Sequence, residues 1–294
     1  MKNLTVAGLV VGLTAAASAA HADPKDLRGS DTLFGVVTQA INTAGLDSVL
    51  RYVGGGSGTG ETGLINGTQG IAPMSRALST SAINNLLNQG VTPVQSVIGL
   101  DAVSMWVKAD SAALGIDIPT IRAIYLCQIT DWADVPNSGK TGAITVYARN
   151  GASGTTDTFK TLIGGLPATT SGNANWGACV HEVEQTTDVA DATSTQDGAI
   201  GFSGLSAGRP GQNRALAVAK DATSGTILPT ERNIRTFSYP LSRRLFVNSV
   251  TGGRVPSDDE QALLDVMLDR DFLDPILVNN EFITCPAVAD GGCP

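Results

Sequence analysis

Tyr147-Ala148-Arg149-Asn150-Gly151-Ala152-Ser153-Gly154-Thr155-Thr156-Asp157-Thr158-Phe159 is the stretch on which the reading of this chain turns. A short apolar strand ends at Ala148. An arginine follows, then small residues, then a run that reads as the first turn of a helix. The first N–H groups of a helix lack partners inside it and carry the positive end of its dipole. Glycine lets that backbone approach a ligand, and Ser and Thr hydroxyls add donors. Arg149 supplies a forked cation suited to an oxyanion. This is the make-up of a small-anion site where a strand feeds a helix. One such loop is a weak signal, and its weight comes from three further stretches of the same type.

Working outward, Gly29-Ser30-Asp31-Thr32-Leu33 runs into 34–41, apolar at helical spacing. The β-rich run 49–53 ends in Gly54-Gly55-Gly56-Ser57-Gly58-Thr59-Gly60, then enters an amphipathic turn at 61–65. This is not a P-loop, because no Gly-Lys-Ser/Thr follows. The one Gly-Lys-Thr, Gly139-Lys140-Thr141, has Asp134 where the first glycine should stand. Residues 70–74 read as a strand entering Ser75-Arg76, with a helix over 80–88. Helices are also expected over 118–125, 156–163 and 186–195. The capping box Ser257 to Glu260 opens another, which should run to about Arg270. Short strands are expected over 144–147, 199–202 and 215–219. The runs 94–107 and 242–250 are long and β-branched, and suit crossings between two lobes. Strands alternating with helices predict an α/β fold with mostly parallel strands.

Residues 1–22 read as a secretory signal peptide: Lys2, an apolar run over 4–17, and Ala20-His21-Ala22 as the cleavage site. The mature chain, 23–294, is expected to be soluble and exported. Formal net charge is −8, and loss of Lys2 makes it one unit more negative. An acidic chain is a poor nucleic-acid or anionic-membrane binder, yet it can hold a small anion in a pocket of neutral donors. Cys127, Cys179, Cys285 and Cys293 are all beyond the signal, and an even count in an oxidising compartment suggests two disulfides. Three pairings are possible. Cys127–Cys179 and Cys285–Cys293 are favoured, the second clipping the C-terminal tail. After cleavage His181 is the one remaining histidine, in Ala178-Cys179-Val180-His181-Glu182 with no serine elbow nearby. Ser57, Ser153 and Ser203 lack the Gly-x-Ser-x-Gly pattern. A zinc site needs more ligands than His181 and scattered carboxylates offer. The inventory favours binding over chemistry, with no metal and no cofactor.

These stretches, taken as a set, resemble the periplasmic phosphate-binding proteins of ABC transporters, the PstS family. The resemblance rests on Gly29 to Leu33, Gly56 to Gly60, Met74-Ser75-Arg76-Ala77-Leu78 and Arg149 to Phe159. Ile124 to Trp132, Gly198 to Phe202 and Tyr239-Pro240-Leu241-Ser242-Arg243 extend it over most of the mature chain, in the family's order. It implies a two-lobe Venus-flytrap fold with two crossing strands and the anion between the lobes. Lobe 1 would be 23–98 with 247–294, and lobe 2 would be 99–246. By resemblance the phosphate would be held by the N–H groups of Thr32 and Leu33, the Thr32 hydroxyl and Ser57. Arg149, Ser153, Gly154 and Thr155 would close from the second lobe. The best-known form of the family has an aspartate at the position of Ser75 to accept the phosphate proton. This chain has Ser75-Arg76, which looks like another version found in the family, and both residues are counted among the expected phosphate ligands. The carboxylates left within the anion loops are Asp31, Glu61 and Asp157, and Asp31 is the one expected to take the proton. The family often has an acidic residue between the arginine and the Ser-Gly-Thr. Asn150-Gly151-Ala152 fills the gap here, which leaves the partner of Arg149 open.

The function implied is binding of inorganic phosphate and delivery to an ABC transporter permease in the inner membrane, by a monomeric periplasmic protein. Three other readings stand beside it: a secreted phosphatase on the same scaffold, a binder of sulfate or molybdate, and an exported adhesion or matrix protein.

Overall fold

The computed structural model describes residues 23–149, 154–165, 176–286 and 293. The signal sequence expected over 1–22, and Ser153 of the opening stretch, lie outside the described residues. The chain begins with β1 (Lys25–Gly29), α1 (Phe34–Thr43), β2 (Leu50–Gly55), α2 (Ser57–Asn66), β3 (Ile71–Met74) and α3 (Thr80–Asn88). The long β4 (Val91–Ala102) continues almost directly into β5 (Ser104–Lys108). Then come β6 (Gly115–Asp117), α4 (Ile118–Tyr125), β7 (Thr145–Arg149), α5 (Gly154–Leu162), β8 (Val180–Val183), α6 (Thr186–Thr195) and β9 (Ala199–Ser203). The short β10 (Asn213–Ala215), β11 (Ala217–Ala219) and α7 (Glu231–Arg235) precede the second long strand, β12 (Ser242–Gly252). The helices α8 (Asp258–Leu268) and α9 (Arg270–Asn279) follow.

The fold is mixed α/β in two lobes, each with its own core. One core joins Val37, Leu50, Leu263 and Leu277 to Ile98 of β4 and Leu245 of β12. The other joins Leu100, Val103 and Met105 to Tyr125, Trp132, Phe159 and Phe202. Along the first crossing the change falls between Ile98 and Leu100, and along the second between Leu241 and Leu245. The crossing strands pair antiparallel along most of their length, with Arg243 opposite Asp101. There Arg243 Nε donates to Asp101 Oδ2 at 2.8 Å, while Asp101 Oδ1 accepts from Ala102 N at 2.7 Å. Both side chains are buried, 4% and 3% exposed. An ion pair removed from water this far costs roughly 3–5 kcal/mol to break from one side. It therefore fixes the register of the two strands at the waist. After α9 the chain returns to this point: Ile283 bridges to Leu100 and packs into the second core.

Both expected disulfides are present. Cys127–Cys179 has a Cα separation of 5.9 Å, and Cys285 is bonded to Cys293. The first links the end of α4 to the start of β8, and α5 lies inside the loop it closes. Phe159 anchors α5 from below. It stacks on Phe202 of β9 at 4.0 Å, and Tyr125 meets it edge-on at 5.0 Å. Aromatic pairs of this kind contribute about 0.5–1.5 kcal/mol beyond their buried area.

Several sequence expectations need correction. The strands are not mostly parallel. The pairs β1–β2, β7–β8, β7–β9 and β6–β11 are parallel, but every pair made by β5 or β12 is antiparallel. Strands joined through helices keep the parallel rule, and the crossing runs break it. The run 215–219 is split: Leu216 N donates to Met105 O, and the chain passes from pairing β5 to pairing β6. The helix from Ser257 ends at Leu268, because Asp269 turns extended and caps a new helix, accepting from Asp271 N. Pro275 inside α9 hid that helix, since proline normally excludes a helix interior. The glycine cluster is also not all loop, as Ser57 to Gly60 already form the first turn of α2.

Candidate functional site

Strands β1, β2 and β3 end side by side, and each opens into a turn or helix that begins with small polar residues. Ligands of open α/β sheets gather outside such carboxyl ends. Here three serines from the three ends meet. Tyr52 OH donates to Ser30 O at 2.8 Å, Ser30 Oγ donates to Ser75 Oγ at 2.9 Å, and Ser75 N donates to Ser57 Oγ at 3.1 Å. The Ser57 and Ser75 hydroxyls lie 3.3 Å apart. Burial raises the Tyr52 phenol well above its ordinary value, and the negative charge of Asp31 adds to this, so Tyr52 remains a donor. Gly54, Gly55 and Gly56 all have positive φ, of 66°, 97° and 91°, which swings the chain from β2 into α2. Gly60 then lets α2 approach β1, because a Cβ there would stand 3.0 Å from Arg28 O and from Gly29 Cα.

The Asp31–Leu33 turn sits beside this cluster. Asp31 Oδ1 accepts from Gly55 N at 2.8 Å, tying the end of β2 to the turn after β1. Leu33 N, expected to face the anion, donates to Ser30 O at 3.0 Å and so closes the turn. Thr32 Oγ1 is buried and has no hydrogen-bond partner among the described residues. Arg76 turns away to Glu61: Nη1 meets Glu61 Oε2 at 2.7 Å and also donates to Ala77 O. Ser79 adds its N–H and hydroxyl to the same carboxylate, at 2.9 and 2.8 Å. Burial pushes the Glu61 carboxyl up. The hydrogen bond from Arg76, then those from Ser79, outweigh it and hold the group below its ordinary value.

The second lobe presents Arg149 at the end of β7. Its Nη1 donates to Thr186 Oγ1 of α6 at 2.6 Å. Its Nε is buried without a partner among the described residues. Burial lowers this guanidinium from its ordinary value, and the charge of Asp188 pulls it back up. Thr156 Oγ1 donates to Arg149 O at 2.8 Å, which fastens the first turn of α5 to the strand end. Gly154 and Thr155 open α5, and the Asp31–Leu33 turn packs against this helix. Ser75 Oγ and Thr158 Oγ1 stand 3.3 Å apart, one from each lobe, so the cleft is shut at that point. Beside them lies a cavity of about 550 Å³ that Ser57, Ser75 and Arg76 line from the first lobe.

The structure thus brings Asp31, Thr32, Leu33, Ser57 and Ser75 together, and sets them against the α5 end that carries Arg149, Gly154 and Thr155. Arg76 lies at the cavity wall with its charge met by Glu61. His181 is exposed on β8, its ring 5.5 Å from that of Tyr147 and away from the serines. Ser30, Thr158 and Thr186 were not expected at the site. Thr186 lies 37 residues from Arg149 and reads as an ordinary helix start. Only the pairing of lobe and helix makes it a partner.

A periplasmic-binding architecture is therefore what the two lobes, the crossing strands and the cleft define, and the chain belongs to the PBP superfamily: a family model described as "PBP superfamily domain" matches residues 14–271. Within it the chain is similar to the phosphate-binding protein PstS of Pseudomonas aeruginosa, 25% identical over 274 residues, 88% of this chain and 82% of that protein. The fold also matches an ABC-type phosphate transport receptor from Vibrio cholerae, with a TM-score of 0.72 at 20% identity over 88% of this chain and 99% of that one. A shorter similarity, 30% over 127 residues, links 37% of this chain to 32% of the alkaline phosphatase L of Pseudomonas aeruginosa.

Proposed function

We propose that this protein binds inorganic phosphate between its lobes and hands it to an ABC transporter permease. The observation that carries the reading is a pair of buried donors with no described protein partner, Thr32 Oγ1 on one lobe and Arg149 Nε on the other. A buried polar group without a partner calls for an explanation, and of the side-chain atoms so placed among the described residues these two lie at the expected anion loops. A tetrahedral oxyanion would satisfy both and would favour the charged form of Arg149 that burial disfavours. Thr32, Ser57, Arg149, Ser153, Gly154 and Thr155 are the proposed ligands, with Leu33, Ser75 and Asp31 shaping the first wall. In this reading lobe 1 is 23–98 with 247–294 and lobe 2 is 99–246; the change of core between Ile98 and Leu100 supports the first boundary, while the change between Leu241 and Leu245 lies a few residues before the second. The protein would act as a periplasmic monomer after cleavage near Ala22. No helix among the described residues is long and apolar enough to cross a membrane.

Hydrolysis of phosphate esters is the second reading, raised by the partial likeness to a phosphatase. Ser57 and Ser75 count against it. Among the described residues their partners are other hydroxyls and backbone N–H, with no imidazole or carboxylate to take a proton. Isothermal titration with phosphate, arsenate, sulfate and molybdate tests the proposal. One site with phosphate preferred over sulfate is expected. Absence of phosphate binding overturns it, and release of phosphate from a model ester that is lost in Ser57→Ala would move the assignment to catalysis.

A further inference from the structure

β4 and β12 join the lobes, and after α9 the chain crosses a third time. α9 belongs to the first lobe: Leu273, Ile276 and Leu277 lie in its core, and Phe282 packs against it. The next residue, Ile283, lies in the core of the second lobe, and Cys293 packs there too. The turn that sends the chain across falls at Glu281, whose φ is 63°. Left-handed residues after a helix are usually Gly or Asn, so the fold holds Glu281 against its preference. Leu100 N then donates to Ile283 O at 2.8 Å, and Ile283 N to Leu100 O at 2.9 Å. Leu100 also stands opposite Arg244 of β12, so three segments lie side by side at the waist.

The two residues after Ile283 are gripped from opposite lobes. Arg235 ends α7, whose Ile234 lies in the second core. Its Nη1 donates to Thr284 O, and its Nη2 to Thr284 Oγ1 at 3.3 Å. Arg270 opens α9 in the first lobe. Its Nη2 donates to Cys285 O at 2.7 Å, and its Nη1 reaches Ile98 O of β4 at 3.4 Å. Glu231 and Asp274 hold the two guanidinium groups in place, each at 2.7 Å. Beyond the grips Cys285, 7% exposed, is bonded to Cys293, which ties the tail to the second core. A strand held by one lobe alone would follow that lobe and restrain nothing. A segment clamped by both cannot turn with either lobe without stretching a bond to the other.

Both grips are made with the cleft shut, since Ser75 and Thr158 meet across it at 3.3 Å. An interaction made in one state and strained in the other shifts the population toward the first. We infer that residues 283–285 are a third crossing that latches the lobes in the closed arrangement, with Arg235 and Arg270 as the two halves of the latch. This assigns the chain from Ile283 onward to the second lobe. The latch sets how readily the lobes part and, on the phosphate reading, how fast the anion leaves.

The test reads the lobes directly. Spin labels on Leu87→Cys in the first lobe and Leu114→Cys in the second, both exposed positions, report the distance between the lobes without ligand. The labelled pair is compared in the otherwise unchanged chain, in Arg235→Gln, in Arg270→Gln, and in Cys285→Ser combined with Cys293→Ser. Each variant is expected to populate the longer distances at least about threefold more. Titration with inorganic phosphate should show binding roughly three- to tenfold weaker, carried by faster release. Distance distributions that match the unchanged chain overturn the inference whatever happens to the thermal midpoint, because a merely structural tail alters stability and not lobe separation. Weaker phosphate binding with unchanged distances overturns it as well. If one variant does not fold, the other two decide. If the distances shift as expected but phosphate does not bind the unchanged chain, the phosphate reading falls and the latch stands.

Discussion

Arg76 leaves the first lobe at the end of β3, and Arg149 leaves the second at the end of β7. Both were expected to face the anion. Arg76 is met by Glu61, a carboxylate only 14% exposed, which also takes both donors of Ser79. Arg149 is met by the neutral hydroxyl of Thr186 and keeps a buried Nε without a described partner. A carboxylate cancels a guanidinium, whereas a hydroxyl only points it. In the proposed reading the difference separates a structural cation, which braces α2 against the turn before α3, from a cation held ready for a ligand. The surroundings agree: the first-lobe loops are already cross-bonded through Ser30, Ser57, Ser75 and Asp31, so their rigidity is built in.

The largest effect that can break the comparison is on Arg149 itself. Removing one partner of a buried ion pair typically costs about 3–5 kcal/mol. At about 1.4 kcal/mol per decade, Arg149→Ala is expected to weaken phosphate binding by at least ~100-fold with little change in thermal midpoint. Affinity within a few-fold of wild type would return the counter-charge role to Arg76 or to the neutral donors.

Arg76→Ala should do the reverse. Phosphate affinity should stay within about tenfold, while folding stability falls by about 1–2 kcal/mol. A hydrogen bond to a charged group contributes roughly 1.5–3 kcal/mol, and the 38% exposure of Arg76 reduces it. The loss has a pH signature. The fold holds the Glu61 carboxyl below its ordinary value of 4.5. The stability it contributes is complete above that unfolded value and is lost as pH falls through the lower folded one. Urea titrations should therefore show the gap between wild type and Arg76→Ala narrowing as pH falls below the ordinary glutamate value of 4.5. A constant gap between them down to pH 3 would mean that Arg76 acts through packing.

Much of the fold that carries this contrast was legible in the sequence, while the contrast itself was not, for a physical reason. Helices α3, α4 and α6 fall over the residues the sequence pattern gave them, because each carries its own periodicity and cap. The crossing strands were legible from their length. The loops at the strand ends were legible because small residues after strands are local signals. What holds the arginines was not, since Glu61–Arg76 and Arg149–Thr186 are contacts 15 and 37 residues apart that only the packed helices create. The Asp101–Arg243 pair, 142 residues apart, was invisible for the same reason.

A smaller effect tests how Arg149 is aimed. Thr186→Val keeps the shape of the side chain and removes the hydroxyl that accepts from Nη1. A neutral hydrogen bond contributes about 0.5–1.5 kcal/mol net. Binding should weaken roughly three- to tenfold, with the enthalpy of titration reduced. An unchanged affinity would show that Asp188 and the anion alone position the guanidinium.

The smallest expected effect concerns selectivity, and Asp31 is where it is placed. Phosphate near neutral pH keeps a proton that sulfate lacks, so a site made only of donors holds both equally well. One carboxylate that accepts this proton would repel sulfate. Ser75 cannot supply such a charge, and Glu61 is occupied by Arg76 and Ser79. Asp31 lies next to Thr32, and its Oδ1 accepts from Gly55 N. Asn at this position offers an amide oxygen for the same bond, so the loop should keep its form and stability should change by less than about 1 kcal/mol. Asp31→Asn is accordingly expected to weaken phosphate by about a few-fold and to let sulfate compete where wild type excludes it. A mutant that still rejects sulfate as well as wild type would make Asp31 purely a brace for the β2 loop. Discrimination would then come from the shape of the serine cluster, where Ser75 Oγ can accept the phosphate proton without any charge.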